Sequence, residues 1–467
     1  MLFLGPVLAV FFVGVVIYLL VKKYSPIAVL LFSGLVMLVV AYFLGLHLPK
    51  LKQPTGLPAF DFVAYIIESL LDTNASVGLV IMIISGFVAY MDKIGASDAL
   101  VYLAMKPLSV FRKHPYILAS LVVPLGQFLF ISIPSAAGLG LLLMATIFPI
   151  IVNLGVSRVA AVSLITATTA FGIGPASAIA LSAASVLELD ITKFFFGYQI
   201  PMSAMLSAVL TVTYFFVNRH YDKKLPADAF VTALETDPKT EGMTSNGPHK
   251  VQLKAPMIYG LLPLLPLVLL LAFSDFIGLV PFKVKVDTNV AMLVGLLVAL
   301  VAELIRTRDL VAVFKSLDVF WAGMGDIFKS VVVLIIAADI FSKGLISLGF
   351  IDGLLQVAQQ AGLGGIGIAV VLTVMIFLAS ILMGSGNAAF FAFGPLVPRI
   401  AAPLGMPAVK IILPMSLAAS MGRTVSPIAG VVVAAAALAK VTPVDVVKRN
   451  LIPFVVGLIV MLTYNFL

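Results

Sequence analysis

Gly422-Arg423-Thr424-Val425-Ser426-Pro427 interrupts an apolar run that extends from 408 to 438. A run of this length would cross a bilayer as a helix, since about 20 apolar residues suffice for one span. Instead it carries a permanent charge and a Ser-Pro pair near its middle. A second interruption, Gly172-Ile173-Gly174-Pro175-Ala176-Ser177, cuts the run 160–186. Non-helical backbone at membrane depth persists only where protein buries it or water wets it, because each unpaired amide or carbonyl costs several kcal/mol in hydrocarbon. Two broken spans therefore point to a polar cavity inside a membrane protein.

Composition agrees. Of 467 residues, 62% are hydrophobic and only 11% charged, and the mean hydropathy is +1.18. A soluble domain carries about 25% charged residues, so this chain lacks the polar surface to wrap its core in water. The absence of Cys excludes disulfides, thiolate metal sites and Cys nucleophiles. The net charge of +8 needs no nucleic acid to explain it; positive charge sorts loops to the cytoplasm.

Working outward from the breaks, the first span is 2–20, followed by Lys22 and Lys23. That order is the reverse of a signal peptide and predicts a permanent span with its N-terminus outside. Residues 27–45 make a second span. The stretch 58–72 is weakly apolar and carries Asp61, Glu68 and Asp72, which predicts a helix lying at the interface. A span at 77–91 follows. Residues 115–152 are apolar around a Pro/Gly/Ser tip at 133–140, the pattern of a re-entrant hairpin. After the broken span 160–186 comes a fifth crossing at 201–217. The hydrophilic stretch 218–254 reads as a cytoplasmic linker without order of its own.

The plan then repeats. Spans at 257–273 and 290–304 precede an amphipathic stretch at 310–325 and a span at 330–345. A hairpin at 366–397, with its tip at 383–387, leads to the broken span 408–438 and a last span from 453 onward. Residues match too: Ile94-Gly95-Ala96-Ser97-Asp98-Ala99-Leu100 stands opposite Leu348-Gly349-Phe350-Ile351-Asp352-Gly353-Leu354, and Gly155 opposite Gly405. Each half, 1–217 and 255–467, thus holds five crossings, one hairpin and one broken helix. Five is odd, so the halves face opposite ways, which is an inverted-topology repeat. Charge agrees with this all-α polytopic threading. Lys22, Lys23, Lys93, Lys106, Arg112, Lys113 and the linker fall inside, while Lys50, Lys283, Lys285 and Lys343 are among the few outside.

Half-helix N-termini at the cavity present free N–H groups and partial positive charge, a receptor for a carboxylate. Freed carbonyls with Ser, Thr and Asn oxygens suit a small cation instead. The first tip offers Ser135 and Gly138, and the first break Thr169 and Ser177. The second tip offers Gly384, Ser385, Gly386 and Asn387, and the second break Arg423, Thr424, Ser426 and Pro427. These are the candidate substrate-binding residues, and Ser135, Ser385 and Asn387 are also candidate sodium ligands. Arg423 is the sharpest of them. A charge at the bilayer centre costs about 2.5–3.5 kcal/mol on insertion scales, and Arg does not escape by losing its proton. Its planar fork fits one carboxylate of an anionic substrate. The alternative is that Arg423 caps carbonyls within the break or pairs with a nearby acid. Asp339 has Lys343 four residues on, a structural pair by its spacing.

The runs Gly138-Leu139-Gly140-Leu141-Leu142-Leu143-Met144-Ala145-Thr146, Gly384-Ser385-Gly386-Asn387-Ala388 and Gly422-Arg423-Thr424-Val425-Ser426-Pro427-Ile428-Ala429-Gly430 resemble those of the anaerobic four-carbon dicarboxylate carriers of the DcuC type. The similarity runs nearly end to end. It implies a bacterial inner-membrane carrier for succinate, fumarate or malate within the wider ion transporter superfamily. It further implies a homodimer in which spans 2–45 and 257–304 form a fixed scaffold while hairpins and broken spans move as an elevator. Sodium or proton coupling, as exchange or symport, is usual among such relatives. No cofactor is implied. A sodium/proton antiporter is the first alternative, but it needs a membrane-buried carboxylate, for which Asp339 is the sole candidate. An anion channel would also use half-helix dipoles and an Arg. No HExxH, GxSxG, P-loop or paired carboxylates occur at membrane depth, so an enzyme is the weakest reading.

Overall fold

Proline starts several of the long helices. In the computed structural model, which describes residues 4–111, 113–225, 255–273, 286–362 and 364–467, the first half opens with α1 Leu4–Val21, α2 Pro26–Phe43, α3 Pro58–Lys93 and α4 Ala96–Met105. A hairpin of α5 Pro115–Ser132 and α6 Ala136–Thr146 follows. The half-helices α7 Arg158–Ala167 and α8 Ala178–Val186 come next, then α9 Ile191–Asp222. Pro26, Pro58 and Pro115 stand in first turns, where the missing N–H loses no helical bond.

The second half holds α10 Met257–Ala272, α11 Thr288–Thr307, α12 Leu310–Ser347 and α13 Phe350–Gln360. The hairpin α14 Gly365–Met383 and α15 Gly386–Phe393 leads to half-helices α16 Val409–Thr424 and α17 Gly430–Leu438, and α18 Pro443–Phe466 closes the chain. No described residue is in a strand, and 9 helices among them are long and apolar enough to cross a membrane.

Two expectations change. The stretches 58–72 and 310–325, read as separate interfacial pieces, continue into the spans behind them as helices of 36 and 38 residues. The junctions are single π turns, Asn74–Gly78 and Phe328–Val332. Each admits an extra residue without ending the helix, so the amphipathic stripe can rotate relative to the apolar one. At about 1.5 Å per residue such helices reach over 50 Å, beyond an apolar layer of about 30 Å. Likewise α9 runs to Asp222, so residues 218–222 of the expected linker are helical, and 226–254 lie outside the described residues.

Paired features recur at matching places in the halves. Besides the π turns, Gly95 and Gly349 take left-handed φ values of 77 and 76°, and Gly155 and Gly405 do so at 90 and 61°. Glycine also fixes the closest helix contacts. An added Cβ on Gly422 would lie 2.4 Å from the Phe377 carbonyl oxygen, so α16 is drawn onto α14 there. Gly422, read from sequence as the start of the break, is instead a packing residue inside the helix.

Candidate substrate site

The two breaks meet the accounting of backbone groups in different ways. In the first, 168–177, local turns pair the Thr168, Thr169, Ala170 and Ser177 N–H groups and side chains from other elements supply further partners. The Gly172 N–H donates to Ser420 Oγ at 3.1 Å and the Gly174 N–H to Gln199 Oε1 at 3.1 Å, while Gln127 Nε2 donates to the Ala167 carbonyl at 3.5 Å. The Thr169 carbonyl accepts from Arg423 Nη2. In the second break, 425–429, local turns suffice. The Val425 and Ser426 N–H groups donate to the Gly422 and Arg423 carbonyls, each at 3.1 Å, and Ile428 N–H donates to Ser426 Oγ at 3.4 Å.

Arg423 itself sits in the last turn of α16, not within the break, where unpaired carbonyls favour a cation. It is half-buried, and its Nε is buried without a partner. Among the described residues no carboxylate pairs with it. Of the five donors of a guanidinium, the structure uses one, on the Thr169 carbonyl. The carbonyl-capping alternative is thus what this arrangement displays, and it leaves the positive charge uncompensated and most of the fork free.

The second hairpin tip leans on this region. Gly384, at a φ of 65°, ends α14 and lies against Ile428 and Ala429; an added Cβ on Gly386 would be 2.5 Å from the Ala419 carbonyl oxygen. Ser385 caps α15 by accepting the Ala388 N–H at 3.3 Å, and Asn387 is half-buried with no hydrogen bond among the described residues. Ser177 caps α8 in the same manner, accepting from Ala180 at 3.4 Å, and its Oγ lies beside Gly172 and Ser420. Each capping hydroxyl keeps its own proton to donate to an anion. Ser420 and Ser177 thus meet at Gly172, and Gly386 packs on the Ala419 carbonyl of the same helix that carries Arg423.

Other candidates stand apart. Ser135 caps α6 through the Gly138 N–H at 3.1 Å on an exposed tip, and Gly140 packs on Val431 of α17 rather than near Arg423. The Thr169 and Thr424 hydroxyls are fully buried and donate to the carbonyls of Thr166 at 3.0 Å and Ser420 at 3.1 Å. Their part in the arrangement is through backbone. Pro427 is half-buried, one residue past the fully buried Ser426.

Sequence reasoning missed Ser420, Gln127, Gln199 and Asn450. The signal was present: amides inside apolar helices, such as Gln199 just before Ile200-Pro201, need partners at depth. Asp339 is held by Lys343 at 2.8 Å, as its spacing predicts. Among the described residues no cluster of three or more His, Cys, Asp or Glu could hold a metal.

Among the described residues, then, the Arg423 guanidinium stands between two broken helices with no carboxylate partner, and comparison with known proteins decides the family. The family model for the DcuC C4-dicarboxylate anaerobic carriers matches residues 4–467. The chain belongs to that family. It is 34% identical over 451 residues to the anaerobic C4-dicarboxylate transporter DcuC of Escherichia coli strain K12, covering 96% of this chain and 93% of that one. The Shigella flexneri DcuC transporter matches with the same identity and coverage. Among solved structures, the Alcanivorax borkumensis YdaH transporter, described as having an unusual topology, aligns with a TM-score of 0.56 at 16% identity over 94% of this chain and 98% of that one. At that identity the likeness concerns the fold. The resemblance read from the motifs is borne out, and the protein is a multi-pass protein of the bacterial inner membrane whose relatives are named as transporters.

Proposed function

We propose that this DcuC-family protein is a secondary active transporter of C4 dicarboxylates such as succinate, fumarate and malate. The observation that carries the reading is Arg423: a permanent cation at the meeting of two broken spans, partnered among the described residues only by the Thr169 carbonyl and with a buried unpaired Nε. An incoming carboxylate engages the fork bidentately. The second carboxylate of a four-carbon diacid finds the Ser385 hydroxyl, Asn387 and the free N–H groups at the start of α15.

In this reading residues 1–217 and 255–467 are inverted repeats joined by a cytoplasmic linker. Hairpins and broken spans travel as an elevator against scaffold spans 2–45 and 257–304 of a homodimer, as exchange or as sodium- or proton-coupled symport. Ser135, Ser385 and Asn387 are the neutral oxygens available to sodium. The antiporter alternative loses support because Asp339 is tied to Lys343. Uptake of labelled succinate into proteoliposomes, with and without sodium and proton gradients and with trans succinate, tests the proposal. Saturable uptake that Arg423→Ala abolishes is expected. Non-saturating flux that ignores trans substrate would replace the carrier with a channel.

A further inference from the structure

The last carbonyls of a helix have no intrahelical partner, and at membrane depth each must find one. The Thr424 carbonyl, at the end of α16, accepts from Asn450 Nδ2 at 2.9 Å. The same amide nitrogen donates to Thr166 Oγ1 at 3.2 Å, one residue from the end of α7. Asn450 Oδ1 in turn accepts from the Tyr214 hydroxyl at 2.9 Å, which fixes which way the amide faces. Asn450, Tyr214, Thr166 and Thr424 are all fully buried. One side chain of α18 thus ties together the ends of both broken spans, next to Arg423 and three residues from Thr169.

A second tie runs beside it, from Arg423 Nη2 to the Thr169 carbonyl. The two differ in kind. The Asn450 tie is neutral, sealed and has both amide protons used. The Arg423 tie is charged, half-buried and has donors to spare. A carboxylate arriving in the cavity competes for the second and not for the first.

We propose that Asn450 is a positioning residue for the anion site: it holds the ends of α7 and α16 in register so that Arg423 exchanges the Thr169 carbonyl for a carboxylate without the two half-sites drifting apart. The inference rests on the dicarboxylate reading above. It makes affinity depend on a residue that never touches the cargo, since misplacing a binding group weakens recognition while leaving the rest of the cycle in place.

The test combines uptake kinetics with backbone hydrogen exchange on the full-length protein. Asn450→Leu removes all three bonds at similar volume, and Tyr214→Phe removes only the bond that orients the amide. For labelled succinate, Asn450→Leu is expected to raise KM about tenfold, the usual scale of one or two buried hydrogen bonds, with Vmax within about twofold. Tyr214→Phe should shift KM the same way by less, which keeps the test open if the Leu variant does not fold. In both variants peptides covering 168–177 and 425–429 should exchange faster, while those covering 384–387 stay as in the parent. Unaltered exchange in either break, or a fall in Vmax at constant KM, overturns the proposal. A parent protein that takes up no succinate sinks the substrate reading instead, and the exchange data then decide the tie by themselves.

Discussion

Arg423 and Arg449 are both drawn into the interior, and their surroundings are opposite. Arg449, near the start of α18, meets Asp222 at the end of α9 in a buried ion pair, its side chain 6% exposed and that of Asp222 0%. The same guanidinium reaches the Asn218 side chain at 3.3 Å and lies over the Tyr221 ring. Asp222 further accepts from the Ser157 N–H at 3.1 Å, the Ser157 hydroxyl at 2.7 Å and the Tyr116 hydroxyl at 3.1 Å. That corner is complete: charge, countercharge and hydrogen bonds all reside in the chain. Around Arg423 no countercharge lies among the described residues. A buried cation with a full set of partners fixes architecture, whereas one without them is the place proposed above for an incoming anion.

The comparison breaks most sharply under truncation. Arg423→Ala should lower succinate uptake by at least about 30-fold, in line with about 2–5 kcal/mol for removing one side of a desolvated charged contact. Its melting temperature in detergent should fall less than that of Arg449→Ala, because it orphans the Thr169 carbonyl but no acid among the described residues. Arg423→Lys should fare little better, since an ammonium lacks the planar fork. Arg449→Ala should do the reverse. It strands Asp222 and should cost about 3–5 kcal/mol of stability, read as a fall in melting temperature, while the folded fraction retains uptake within about threefold. If Arg449→Ala lost uptake at an unchanged melting temperature, the distinction between the two arginines would be lost.

Hydropathy and Gly/Pro placement made the hairpins and broken spans legible, because interruptions of apolar runs have no other physical reading. What sequence could not show is which interruptions are short. Gly422 looks like a helix breaker by type, yet the helix runs through it to Thr424 because the neighbouring α14 needs its missing Cβ. The π turns were invisible for the same reason: Asn74–Gly78 and Phe328–Val332 have no composition that distinguishes them from an ordinary junction. Arg423 stood out from charge alone. Its partners did not, since Thr169 acts through a carbonyl, and Asn450 lies before 453, where the last span was expected to begin, in a helix that starts at Pro443. Asp222 was assigned to the linker because the local run of charge outweighed its position four residues past Asn218, on the face that packs toward Arg449.

A smaller effect is expected at the second hairpin tip, where the contrast with the first tip can be sharpened. Ser385 is half-buried next to Gly386, which packs on α16, whereas Ser135 is exposed at the start of a helix whose Gly140 packs on Val431 of α17. Both cap a helix, so Ser→Ala at either position should cost about 1 kcal/mol of local stability. Only Ser385→Ala should also weaken transport, by about three- to tenfold in KM, since in the proposed function it is the Ser385 hydroxyl, next to the Gly386 that packs on α16, that meets the second carboxylate. Equal KM shifts at the two tips would show that both hairpins reach the cargo.

The smallest effect belongs to Asp339, and it separates the carrier from a cation antiporter. Its carboxylate meets Lys343 at 2.8 Å with 35% of its side chain exposed, so the pair is worth about 0–1 kcal/mol. Asp339→Asn keeps the shape and removes the only acid that an antiporter could load within that span. Succinate uptake and its response to sodium and proton gradients should stay within about twofold of the parent. Loss of the gradient response with uptake otherwise intact would make Asp339 the coupling site. It would also mean that the pairing with Lys343 is exchanged during the cycle, in the way that Arg423 exchanges the Thr169 carbonyl.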